Sequence, residues 1–195
     1  MKRIIGLTGG IGTGKTTVSN YLANRHQLPV LDADIYAREA VQLGSPVLSK
    51  IFERYGSGVQ LPDGTLNRKR LGEIVFSNPD ERKWLEQQIH PYVRDRFQSE
   101  LATLVAPTVV LVVPLLFEAR MTDLVTEIWV VSCSPSQQLR RIIERDNLSL
   151  EQAIARLNSQ LPIQEKVTRA DVVLDNSSTP EALLKQVDAA VKTRS

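Results

Sequence analysis

Residues 9 to 17, Gly-Gly-Ile-Gly-Thr-Gly-Lys-Thr-Thr, restrict the possible folds of this chain more than any other stretch. They fit GxxxxGK(S/T) from Gly9 to Thr16, after an apolar segment (Ile4, Ile5, Leu7) and before helical spacing (Val18, Tyr21, Leu22). Strand, glycine loop and helix in that order make a phosphate cradle. Glycines let successive backbone N–H groups converge on one anion without Cβ clashes, and the positive end of the helix dipole adds to the field. Lys15 is placed to neutralise β- and γ-phosphates, and the Thr16 hydroxyl to complete a Mg²⁺ shell. The plain alternative is a glycine turn that only links strand to helix. Eight residues in register with correct flanks favour a nucleoside triphosphate site.

The remaining composition narrows the setting. The 195 residues suit one α/β domain with insertions, and 42% apolar and 24% charged residues are ordinary for a globular chain. A net charge of +2, with basic residues spread along the chain, gives no case for nucleic acid as a partner. The single Cys133 excludes an internal disulfide and reads as a buried, inert thiol in a reducing compartment. The run from Val105 to Phe117 is too short to span a bilayer and contains Pro107 and Pro114. With the phosphate loop following the first residues directly, a cytoplasmic protein without a signal peptide is expected.

Apolar, β-branched runs at Arg3 to Leu7, Pro29 to Leu31, Thr108 to Val113, Glu127 to Ser132 and Val172 to Leu174 read as buried parallel strands. Helical patterns between them predict an α/β fold with about five parallel strands covered on both faces. Residues 35–104 lack a strand and carry amphipathic helices, notably Pro79 to Leu104. They form a block too long for a crossover and read as a helical substrate subdomain. The expected single domain therefore has a core of 1–34, 105–139 and 170–195, with an insertion at 35–104 and an arginine-rich lid at 140–169.

Asp32-Ala33-Asp34 follows the second strand, so alternating carboxylates are expected at the end of the sheet where open α/β folds bind ligands. One can accept the proton of an attacking hydroxyl while the other orients water or Mg²⁺. Helix capping explains one aspartate but not both. In the lid, Arg140, Arg141, Arg145 and Arg156 recur at helical spacing, with Arg141 and Arg145 four apart on one face. Guanidinium forks suit a phosphoryl group. A solvated face paired with Glu144, Asp146 and Glu151 is the bland alternative. No guanine-reading Asn-Lys-x-Asp is present, and the third strand ends in Pro114-Leu115-Leu116-Phe117-Glu118 rather than a metal-binding aspartate. That pattern belongs to small-molecule kinases.

LTGGIGTGKTTV, LDADIYARE, IHP at 89–91, VVPLLFE at 112–118, RD at 145–146 and LDNS at 174–177 together resemble the dephospho-coenzyme A kinase family, with order and spacing preserved over essentially the whole chain. The resemblance implies a nucleoside-monophosphate-kinase-like core, a helical CoA-binding subdomain and a mobile lid. It implies ATP-dependent phosphorylation of the ribose 3′-hydroxyl of dephospho-CoA, the last step of coenzyme A synthesis. By the same carry-over, Gly12, Thr13, Gly14, Lys15, Thr16 and Thr17 hold the ATP phosphates, and Asn176 lies near the adenine. Asp34 is the general base, with Asp32 as its orienting or Mg²⁺-linked neighbour. Arg141 and Arg145 are lid contacts to phosphate.

Weaker candidates remain. His90, before Pro91, is as well explained by structure as by substrate contact, and Glu118 by a turn cap as by substrate binding. His26, near the end of the first helix, reads as structural. Two rival functions stay open: another nucleoside or nucleotide kinase, and a non-catalytic ATP-dependent switch. Nothing in the pattern decides between a monomer and a small homo-oligomer.

Overall fold

The structure, a computed structural model, describes residues 2–193. Met1, Arg194 and Ser195, the outermost positions of the expected core segments 1–34 and 170–195, lie outside the described residues. The strands are β1 (Arg3–Gly9), β2 (Val30–Asp32), β3 (Thr108–Val112), β4 (Glu127–Ser132) and β5 (Val172–Asp175). They form one parallel sheet of order β2-β3-β1-β4-β5. Placing β1 in the centre follows from its sequence. Ile5 pairs with Val110 on one side and Glu127 on the other, and Ile5 and Leu7 are fully buried. Strands buried on both faces need runs such as Val109-Val110-Leu111-Val112 rather than alternation.

One face carries α1 (Lys15–His26) and α9 (Pro180–Lys192). Val18 and Leu22 of α1 and Leu183 and Val187 of α9 pack on Ile5, Leu7, Val110, Val112, Trp129, Val131 and Leu174. His26, expected to be structural, ties the two helices through Asp188 at 2.8 Å, beside the Tyr21 hydroxyl at 3.1 Å. After β4 come α6 (Pro135–Asp146), α7 (Leu150–Asn158) and α8 (Ile163–Val167), with α8 against β4. Ser134 with Gln137, and Ser149 with Gln152, form capping boxes that start α6 and α7. The stretch expected as a lid thus begins inside α6, whose Ile142 is fully buried.

The chain divides into two compact units, Met1–Asp32 with Leu104–Ser195, and Ala33–Thr103. The second holds α2 (Ala33–Glu39), α3 (Pro46–Tyr55), a 3₁₀ turn (Gly56–Val59), α4 (Arg68–Ser77) and α5 (Pro79–Thr103). Val41, Leu48, Ile51, Val59, Leu71 and Val75 form its own buried cluster, flanked by Trp84, Leu85 and Ile89 of α5. Pro91 lies inside α5, yet the helix runs through it to Thr103. Among the described residues no helix is long and apolar enough to cross a membrane.

Candidate active site

The loop Gly9 to Gly14 carries the chain from the central strand to α1. Gly14 caps α1 with φ +101°, and no side chain caps the helix or places an acid in its first turn. First-turn N–H groups and the positive dipole end are therefore presented to an anion. A Cβ on Gly14 would also lie 2.3 Å from Asn176 Nδ2, so both conformation and space require glycine. Lys15 arcs back over the loop, its Nζ donating to the carbonyls of Gly9 at 3.0 Å and Gly10 at 2.9 Å. Thr16 and Thr17 are exposed on the first turn. Thr13 points the other way: fully buried, its hydroxyl donates to Gly10 O at 2.8 Å. Of the expected phosphate-binding residues, Thr13 thus offers an incoming anion no side chain.

Four neighbouring side chains fix the tip of the loop. Gln138 Nε2 donates to Ile11 O at 2.9 Å, while Gln160 Oε1 accepts from Ile11 N at 2.9 Å. Arg141 donates to Gly12 O at 3.3 Å and Asn176 O at 3.1 Å, and Asn176 Nδ2 donates to Thr13 O at 2.8 Å. Arg141 and Asn176, expected at phosphate and adenine, here brace the loop itself. Gln138 and Gln160 escaped the sequence reading because an amide side chain carries no motif.

Other expectations need correction. Asp32, expected just after the second strand, is its last residue, and Asp34 sits exposed in the first turn of α2, within the helical unit. The strand stops there because Ala33 to Glu39 turns helical, and an acid suits a first helical turn. Arg145 does not share the bracing role of Arg141. It forms a two-pronged bond to Asp146 at 2.7 and 2.9 Å, which raises its own pKa and lowers that of Asp146. Arg156 holds the same carboxylate at 2.8 Å, and Arg140 is a solvated partner of Glu144 at 3.9 Å. Glu118 has one carboxylate oxygen engaged inside the sheet unit. Its Oε1 meets Lys166 Nζ at 2.8 Å and accepts from Leu161 N at 3.0 Å. Lys166 was missed altogether, although its place three residues after buried Ile163 in α8 is the spacing of a buried face.

Within the helical unit, Asp34, Arg38, Arg68, Leu71, Leu85 and Ile89 help line a cleft of about 330 Å³. His90, beside Ile89 on α5, has its imidazole pushed down in pKa by burial, with Glu86 opposing. Cys133 is buried, and burial pushes its thiol up, as suits an inert sulfur. For Mg²⁺, the candidate ligands are hard oxygens, the Thr16 hydroxyl and the Asp32 carboxylate, both at the carboxyl end of the sheet unit. That donor set fits an ion that keeps waters and takes its other oxygens from phosphate.

Comparison with known proteins gives the family. Residues 3–181 match the family model for dephospho-CoA kinase. A dephospho-CoA kinase of Trichormus variabilis is 66% identical over 190 residues, covering 97% of both chains. One from Synechocystis sp. is 54% identical over 187 residues, covering 95% of this chain and 93% of its own. Among solved structures, dephospho-CoA kinase from Campylobacter jejuni superposes with TM-score 0.73 at 31% identity, covering 100% of this chain and 98% of that one. Shikimate kinase from Acinetobacter baumannii, at 17% identity and TM-score 0.58 over 100% and 93%, shares the fold alone. With its phosphate loop, parallel sheet and helical unit all inside the matched residues 3–181, this chain belongs to the dephospho-CoA kinase family.

Proposed function

We propose that this chain transfers the γ-phosphoryl group of ATP to the ribose 3′-hydroxyl of dephospho-CoA, giving coenzyme A and ADP, the final step of coenzyme A biosynthesis, in the cytoplasm. The observation that carries the nucleotide half is the uncapped α1 N-terminus behind a loop braced by Gln138, Arg141, Gln160 and Asn176. Backbone N–H groups from Gly12 to Thr17 hold the phosphates. Lys15 exchanges the carbonyls of Gly9 and Gly10 for β- and γ-phosphate oxygens, a stronger, charge-assisted pairing. Thr16 and Asp32 would hold Mg²⁺, which would supply charge neutralisation when bound.

Asp34 takes the proton of the 3′-hydroxyl as its oxygen bonds to the γ-phosphorus and the bond to the β-phosphate oxygen breaks, releasing ADP. The acceptor lies in the helical unit, whose cleft at Asp34 offers Arg38 and Arg68 to its anionic groups and Leu71, Leu85 and Ile89 to its apolar parts. Arg141 steadies the loop, and Arg145 reaches phosphate by leaving Asp146. Within residues 140–169, the stretch that carries Arg145 and Arg156 acts as the lid, while Arg141, Gln160 and Lys166 stay with the loop and the sheet.

The test is an ADP-release assay offering dephospho-CoA, adenosine and AMP side by side. Rapid release with dephospho-CoA alone is expected. Equal turnover of adenosine or AMP would make this a general nucleoside kinase. Slow release indifferent to acceptor would make it a switch.

A further inference from the structure

Lys166 is fully buried on the five-residue helix α8. Its ammonium meets Glu118 Oε1 at 2.8 Å and Pro114 O at 3.0 Å. Glu118 Oε2 is buried with no hydrogen-bond partner among the described residues. A buried ion pair is a poor source of stability, because desolvation of both charges offsets their attraction, and well-packed apolar side chains serve as well. The contacts of this pair instead lead to the phosphate loop by two routes. Pro114 O also accepts from the hydroxyl of Thr8, the residue before Gly9, at 3.2 Å. Glu118 Oε1 also holds Leu161 N, and the adjoining Gln160 holds Ile11 N at 2.9 Å. Ile11 O is held from the opposite side by Gln138. One ammonium thus anchors both the start and the tip of the loop.

We propose that Lys166, through Glu118, is a positioning residue for phosphoryl transfer: the pair fixes the turn before α8 so that Gln160 locks the Ile11 peptide and aims the loop N–H groups. The inference rests on the reading of Gly9 to Thr16 as the ATP cradle. Preorganised donors matter most where charge develops, so a loosened loop should lower turnover rather than acceptor binding.

The experiment compares wild type, Gln160→Ala, the double variant Lys166→Met with Glu118→Leu, and the triple variant. Readouts are ATP affinity by calorimetry without acceptor, kcat and KM with dephospho-CoA, and thermal midpoint. The expected result for the double variant is a near-native midpoint, KM for dephospho-CoA within about twofold, and kcat reduced by up to roughly 100-fold, the scale of a misplacement of about 1 Å caused from outside the reacting atoms. Gln160→Ala should reproduce most of that loss, and the triple variant should add little to it. A folded double variant with native kinetics overturns the proposal, as does a triple variant whose losses multiply. If the double variant does not fold, Gln160→Ala decides alone: reduced kcat at native midpoint supports the relay, and native kinetics refutes it. A wild type that neither binds ATP nor consumes dephospho-CoA would instead overturn the assigned function.

Discussion

The phosphate-loop region and the helical unit Ala33–Thr103 are held together by different chemistry. Around the loop, Gln138, Arg141, Gln160 and Asn176 grip backbone atoms, and a Cβ on Gly14 would have nowhere to go. In the helical unit an apolar cluster from Val41 to Val75 forms the centre and ion pairs lie near the surface. Gly44 there has the same left-handed sense, φ +82°, but a Cβ would meet nothing within 4 Å. A loop that must aim N–H groups at an anion is over-determined by specific hydrogen bonds. A unit built on burial needs only volume and pattern, and tolerates adjustment.

The contrast would break if a residue of the loop proved to matter mainly for stability. Lys15→Ala is expected to remove phosphoryl transfer while leaving the unfolding midpoint near native, because the Gly9 and Gly10 carbonyls that Lys15 bonds can also be satisfied by water. A purified variant within a few-fold of native turnover would refute the phosphate-loop assignment. Asp34→Asn sharpens the comparison by asking whether the helical unit also supplies chemistry. Loss of a general base should lower kcat by roughly two to four orders of magnitude, with little change in affinity since the amide is nearly isosteric. Normal turnover with weakened ATP binding would give Asp34 a metal or structural duty and make Asp32 the base.

The same contrast explains what was legible in the sequence. Strands showed as apolar runs because a parallel sheet buries both faces, and β4 fell on Glu127–Ser132 as expected. The loop was legible because its glycines answer to local geometry. The helical setting of Asp34 was only half legible, because Asp32-Ala33-Asp34 fits a strand end and a helix start equally well, and the switch into α2 is decided by packing beyond that tripeptide. Lys166 stayed hidden because Gln-Glu-Lys-Val reads as a solvated helix until Glu118, far away in sequence, is seen to face it. Arg145 and Arg141 looked equivalent at i and i+4, yet Asp146 captures one and the loop the other. Spacing reports a shared face but not the partner on it.

The smallest effect expected is a pH dependence confined to the helical unit. Arg54 grips Glu81 with two bonds, at 2.7 and 2.9 Å, and stacks 4.6 Å from the Trp84 ring. Those bonds, with one from the Tyr55 hydroxyl, push the Glu81 carboxyl down from 4.5 to about 2. Between these values the unfolded chain binds more protons than the folded one, so stability rises with pH through the window. The contribution is complete above the unfolded value and is lost as acid protonates the folded carboxylate. Tyr55, pushed up to about 12 chiefly by burial and then by Glu81, gives the opposite slope at alkaline pH. There the unfolded phenol ionises first and stability falls. Arg54 is 39% exposed and Glu81 21%, so solvent screening keeps the pair's contribution modest. Urea midpoints of wild type and Glu81→Gln should therefore differ above about pH 5 and converge towards about pH 2, with kcat at neutral pH equal in both. A gap that stays constant across that range would mean that Glu81 acts through shape alone. A fall in kcat would mean that surface pairing in the helical unit is coupled to chemistry after all, and the division of labour between the two regions would fail.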